Sequence, residues 1–163
     1  MPIDSVTTER LELVLQSRDE VFAYLEAMPA DDRAEVSPDW LAMLEQSEQV
    51  SPWIHGFSIR HRRDGDEVGR CGFKGPPDAD GVVEIAYGIS PDHQGNGYAT
   101  EAVVASTASV LKNELSSTVR AHTLPSESAS TSVLRKCGYR FLGEVDDAED
   151  GRVWRWEYPA SPE

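Results

Sequence analysis

A chain of 163 residues, 39% of them hydrophobic, has the size and composition of one domain with a substantial core. Its 29 acidic and 15 basic residues give a formal net charge of −14, which excludes general nucleic-acid binding because that needs a basic footprint for phosphate. No apolar run reaches the roughly 18–20 residues of a membrane span, and Met1-Pro2-Ile3-Asp4-Ser5 lacks the basic and apolar parts of a secretory leader, so a cytoplasmic protein without a membrane partner is expected.

Along the chain, Leu11, Leu13 and Leu15 alternate with Glu12 and Val14, which predicts a strand over 10–15. Ser17 reads as the N-cap of a helix that carries Asp19 and Glu20 in its first turn, turns Val21, Tyr24, Leu25 and Met28 inward, and stops at Pro29. Ser37-Pro38 opens a second helix with Trp40, Leu41 and Leu44 inward. From Trp53 the period changes to two. Segments 53–61 and 67–74 read as a hairpin around Asp64-Gly65. A loop over 75–81 leads into a central strand over 82–89.

A long helix is predicted over 98–115, a strand over 118–124, and a helix over 126–137 that Gly138 ends. Strands over 139–145 and 152–158 form a terminal hairpin. Its acidic connection, Asp146 to Asp150, lacks the alternating oxygens and glycine of an EF-hand and reads as a solvated loop or as the lining of an amine entrance. Cys71 and Cys137 stand apart and read as free thiols. His55, His61 and His122 show no metal-ligand spacing, so no metal site is expected.

The most informative stretch joins the central strand to the long helix: Gln94-Gly95-Asn96-Gly97-Tyr98-Ala99-Thr100. A strand feeding a glycine-rich turn at a helix start presents free N–H groups at the positive end of the helix dipole, which is a phosphate site. Thr100 stands where a dinucleotide fingerprint needs glycine, and the Gly-Lys-Ser/Thr of a P-loop is absent. The segment resembles the Gln/Arg-x-x-Gly-x-Gly/Ala motif of the GNAT acyl-CoA-dependent N-acetyltransferases. Gly97-Tyr98-Ala99-Thr100-Glu101-Ala102, with the opening Thr8-Glu9-Arg10-Leu11, is similar to the branch of the ribosomal-protein N-terminal acetyltransferases.

The resemblance implies an α/β (α+β) GNAT fold, a mostly antiparallel sheet with a splayed strand pair flanked by helices. It also implies acetyl-CoA as cosubstrate. The cofactor would lie across the loop of Gln94, Gly95, Asn96, Gly97, Tyr98, Ala99 and Thr100, with its pyrophosphate on the amides of Gly95 to Ala99, and the backbone of Gly88, Ile89 and Ser90 would take its pantetheine arm. Glu84, in an otherwise apolar strand, matches the family's general base, and burial is expected to raise its pKa. Glu127 stands where relatives carry a cofactor-binding asparagine. Leu134 stands where many carry a tyrosine acid, which leaves Ser130 as the proton donor to the thiolate, with Leu134→Tyr expected to recover rate if Ser130 is lost.

No serine or cysteine has a visible base partner, so direct transfer in a ternary complex is expected. The acceptor is an amine-bearing small molecule or a protein N-terminus, and a homodimer is among the states that relatives adopt. The net charge repels coenzyme A and either favours a cationic acceptor or serves solubility. Glu127 and the missing tyrosine support an alternative, a catalytically weak acyl-CoA-binding sensor or interaction module.

Overall fold

The computed structural model describes residues 5–159; Met1 to Asp4, on which the expectation of no secretory leader rests, lie outside them. An edge strand β1 (Ser5–Thr7) pairs with β2 (Leu11–Leu15), which alternates inward leucines as the sequence predicts. Helix α1 (Arg18–Ala27) starts at a capping box: Ser17 accepts from the Glu20 amide while the Glu20 carboxylate accepts from the Ser17 amide. It buries Val21 and Leu25, but Tyr24 lies 44% exposed under the Arg70 guanidinium, 3.7 Å from its ring centre, which corrects its core assignment. A short helix α2 (Ala30–Ala34) buries nothing and therefore leaves no apolar period to read. Helix α3 (Pro38–Gln46) is capped by Ser37 as predicted, and packs Leu44 against Val21 and Leu25.

Strand β3 (Phe57–His61) begins four residues after Trp53, because the amides of Ile54 and His55 close a turn onto the Ser51 carbonyl. It pairs with β4 (Glu67–Phe73), and β4 with β5 (Val82–Ile89). A 3₁₀ turn (Pro91–His93) leads to α4 (Tyr98–Lys112), then β6 (Thr118–Thr123) and α5 (Ala129–Lys136). Helix α5 starts three residues later than predicted, since Ser128 forms a capping box with Thr131. The terminal hairpin is β7 (Arg140–Asp147) and β8 (Gly151–Pro159).

The eight strands lie in the order β1-β2-β3-β4-β5-β6-β8-β7, and every neighbouring pair except β5–β6 is antiparallel. Strands β5 and β6 pair only from Val82 to Glu84 against Thr118 to Arg120, then part. That is the predicted splay. One sheet face buries Val83, Ile85, Val119, Ala121 and Trp156 with Ala102, Val103 and Val110 of α4 and Leu134 of α5. Helices α1 and α3 form a second cluster with Leu44, Val21 and Leu25.

Candidate active site

The loop before α4 presents donors without acceptors. Gly95 and Gly97 have φ of +81° and +82°, a region costly for a residue with a Cβ, so the turn depends on both glycines. The first bond of α4 runs from the Glu101 amide to the Gly97 carbonyl, and no side chain caps this end. Among the described residues, the amides from Gly95 to Thr100 therefore have no protein acceptor. Buried His93 Nδ1, just before the loop, likewise has no partner. This donor set fits a diphosphate, and these amides would hold the pyrophosphate of coenzyme A. The side chains of Gln94 and Asn96 instead brace the loop, donating to the carbonyls of Ile89 and His93 at 3.0 Å.

Arg10 supplies a cation under this loop that the motif alone does not reveal. It donates from Nη1 to the Asn96 carbonyl at 2.9 Å and from Nε to Glu101 at 2.7 Å, and stacks over Tyr98. Glu101 also accepts from Thr8 Oγ1 and the Arg10 amide. Burial raises its pKa, but these bonds and the Arg10 charge outweigh it and hold the carboxyl below its ordinary 4.5. A carboxyl depressed in the folded state adds stability above the unfolded value, and that stability is lost as pH falls through the folded one. Glu101→Gln should cost about 1–3 kcal/mol in urea denaturation at neutral pH. The variant should also lack part of the wild type's stability loss below pH 4.5.

Backbone parity decides which groups face the fork. The Glu84 carbonyl and the Ser90 amide both bond to β4, so the even residues of β5 turn their polar groups to that strand. Tyr87 and Ile89 therefore aim theirs into the gap. Of the predicted pantetheine partners Ile89 keeps its amide turned to the gap while its carbonyl accepts from Gln94, whereas Gly88 and Ser90 turn theirs to β4. Gly88 contributes differently: nothing lies within 4 Å of where its Cβ would stand, which leaves open space on the acceptor face.

At the apex of the fork stands Glu84. Its Oε2 takes the Nδ1 of His122 at 3.1 Å and the Lys74 ammonium at 3.2 Å, and among the described residues Oε1 has no donor. The expected upward pKa shift is corrected here. Burial does push it up, but the His122 bond and the Lys74 charge outweigh burial and hold the carboxyl below its ordinary value. Lys74 also binds Asp150 at 2.7 Å, and its pKa is raised because these two anions outweigh the effect of burial. His122, passed over for want of metal spacing, is thus a site residue, and the acidic β7–β8 turn folds back onto the site through Asp150.

A cavity of about 670 Å³ lies between this sheet face and helices α1 and α3. Tyr24, Val36 and Trp40 wall it, Gly72, Ala86 and Gly88 give it a floor of small residues, and Arg70, Lys74 and Asp150 bring charge. It reaches Lys74 and Asp150 but stops short of Glu84.

On the far side of the fork, Tyr87 donates from its hydroxyl to the Ser130 carbonyl at 3.4 Å, and burial pushes its pKa to about 12. Ser130 is exposed in the first turn of α5. Leu134 is wholly buried, so a tyrosine there would enter the core instead of the fork. The expected rescue is corrected: Leu134→Tyr should cost about 1–3 kcal/mol by overpacking and restore no proton donor. Glu127 binds Arg135 through both oxygens at 2.6 and 2.9 Å and accepts from Thr131 Oγ1, which holds its pKa near about 2. Its charge is neutralised locally, and no donor remains for a cofactor.

Residues 3–140 match the profile of the acetyltransferase (GNAT) domain, and the chain belongs to that family. A comparison with curated protein sequences finds no match. Among solved structures, a GNAT-family acetyltransferase from Bacillus anthracis is similar at 17% identity and TM-score 0.71, over 96% of this chain and 98% of that one. Mycobacterium smegmatis RimJ, solved with CoA-disulfide, is similar at 17% identity and TM-score 0.71, covering 96% and 88%. RimL, a ribosomal L7/L12 α-N-protein acetyltransferase solved with coenzyme A, is similar at 13% identity and TM-score 0.68, covering 95% and 97%. Among the described residues no helix is long and apolar enough to cross a membrane.

Proposed function

We propose that the protein is an acetyl-CoA-dependent N-acetyltransferase that acetylates a primary amine by direct transfer in a ternary complex. The observation that carries this reading is the fork between β5 and β6, which opens beside a loop of six amides without acceptors. Acetyl-CoA supplies, when bound, the thioester carbon that the amine nitrogen attacks as the carbon–sulfur bond breaks.

The chain's own groups would divide the remaining work. Loop amides and Arg10 position the diphosphate, and the Tyr87 and Ile89 backbone lines the arm. Glu84 Oε1 takes the amine proton through an intervening water, since the cavity stops short of it. Ser130 returns a proton to the leaving sulfur, so that the proton lost by nitrogen is balanced by one gained by the thiol. The acidic surface favours a cationic acceptor, a small amine or a protein N-terminus.

Thiol release from acetyl-CoA with a pooled amine library tests the function. Release above the no-amine control is expected; coenzyme A binding without release would support the sensor reading instead. For the proton donor, single-turnover kinetics at saturating acetyl-CoA should show Ser130→Ala slowed about tenfold, below the usual 10²–10⁴ of general acid–base groups because water competes. The Tyr87 hydroxyl beside Ser130 favours one second reading: full activity in Ser130→Ala with a slow Tyr87→Phe would move the role to Tyr87.

A further inference from the structure

His122 and Arg155 are cross-strand partners on β6 and β8. Arg155 Nε donates to His122 Nε2 at 3.1 Å. A guanidinium has no lone pair to offer, so Nε2 must be the bare nitrogen and Nδ1 must carry the proton that goes to Glu84 Oε2. Only 4% of the His122 side chain is exposed, so the ring has little water with which to exchange these bonds. The groups facing the ring are Glu84 from β5, Arg155 from β8 and, at 3.9 Å, Asp147 of β7; Lys74 lies beyond Glu84 and is itself held by Asp150.

We propose that Arg155 and His122 are positioning residues for Glu84: Arg155 fixes the imidazole tautomer, and the imidazole anchors Oε2, leaving Oε1 as the oxygen that takes the amine proton. This rests on the acetyl-transfer reading above. It makes the terminal hairpin part of the proton-transfer apparatus. Loss of Arg155 uncovers Nε2. The ring can then adopt either tautomer, and the Nε2–H form has no proton at Nδ1 to give Glu84 Oε2.

Two measurements test this on the whole chain. Nitrogen-15 NMR of histidine-labelled protein at neutral pH should show His122 protonated at Nδ1 alone. In Arg155→Met the resonances should report a mixture of the Nδ1–H and Nε2–H tautomers, and Arg155→Lys, which keeps a donor, should restore the wild-type spectrum. In kinetics, Arg155→Met should lower kcat about tenfold, a part of the general-base contribution, with the KM for acetyl-CoA unchanged. His122→Asn, whose amide nitrogen can stand near the Nδ1 position, should keep more activity than His122→Gln. A wild-type ring protonated at Nε2 overturns the proposal whatever the activity. So does Arg155→Met with wild-type kcat. Absence of thiol release from the wild-type protein overturns the acetyl-transfer reading instead, while the spectrum still decides the tautomer.

Discussion

Glu84→Gln is expected to lower kcat by about 10²-fold while leaving the KM for acetyl-CoA unchanged, near the lower end of the 10²–10⁴ that a general base contributes. The lower end follows from the electrostatics. A carboxyl held below its ordinary value by His122 and Lys74 is ionised at all neutral pH values but has less driving force for taking a proton. The acid limb of wild-type activity should accordingly fall below the ordinary carboxylate value of 4.5, where Glu84 at last protonates. Activity above neutrality should rise as the substrate ammonium deprotonates. Glutamine keeps the shape and leaves Lys74 its bond to Asp150, so the fold should survive, and a melting curve checks that. Unchanged turnover at neutral pH would make Glu84 a structural anion that joins β4, β5 and β6.

Gly97→Val should weaken coenzyme A binding at least about 100-fold in calorimetry, a loss of roughly 2.7 kcal/mol. Three costs coincide at this position. The backbone has φ +82°, which a β-branched residue rarely adopts. A Cβ would stand 3.3 Å from Arg10 Nη2, which pushes on the side chain that ties the start of β2 to the loop. The residue also caps α4, so any rotation of its peptide re-aims the donors of the first turn. Retained affinity in a folded variant would remove the loop from the cofactor site.

The parts of this site that could be read from sequence are those written locally. Ser17 and Glu20, Ser37 and Pro38, and the two glycines around Asn96 sit a few residues apart, and each spacing implies a definite geometry. The splay of β5 from β6 was legible only through the family resemblance. By contrast, Glu84 with His122 is a contact across 38 residues and Lys74 with Asp150 one across 76, and no periodic pattern connects them. His122 shows no metal spacing in the sequence, and its meaning comes from the arginine on the neighbouring strand. The direction of the Glu84 pKa shift is hidden for the same reason: an apolar neighbourhood is visible in sequence, but the cations that reach into it are not. Tyr24 fell on a helical stripe yet stayed outside, since a guanidinium from β4 provides it with a partner at the surface.

The three-residue ladder between β5 and β6 also has a bearing on how the molecule assembles. On one side stand five strands drawn from residues 5–89, and on the other three from 118–159, each set joined by antiparallel pairing among its own members. Between them the sheet has a seam only three rungs long, reinforced by α4 and α5 packed across one face. With so few rungs to hold the backbones of the two halves together, the seam is the natural first line of parting. A ligand lying in the fork above that seam would bridge two separately built pieces, and its departure would return the molecule to its least stitched state.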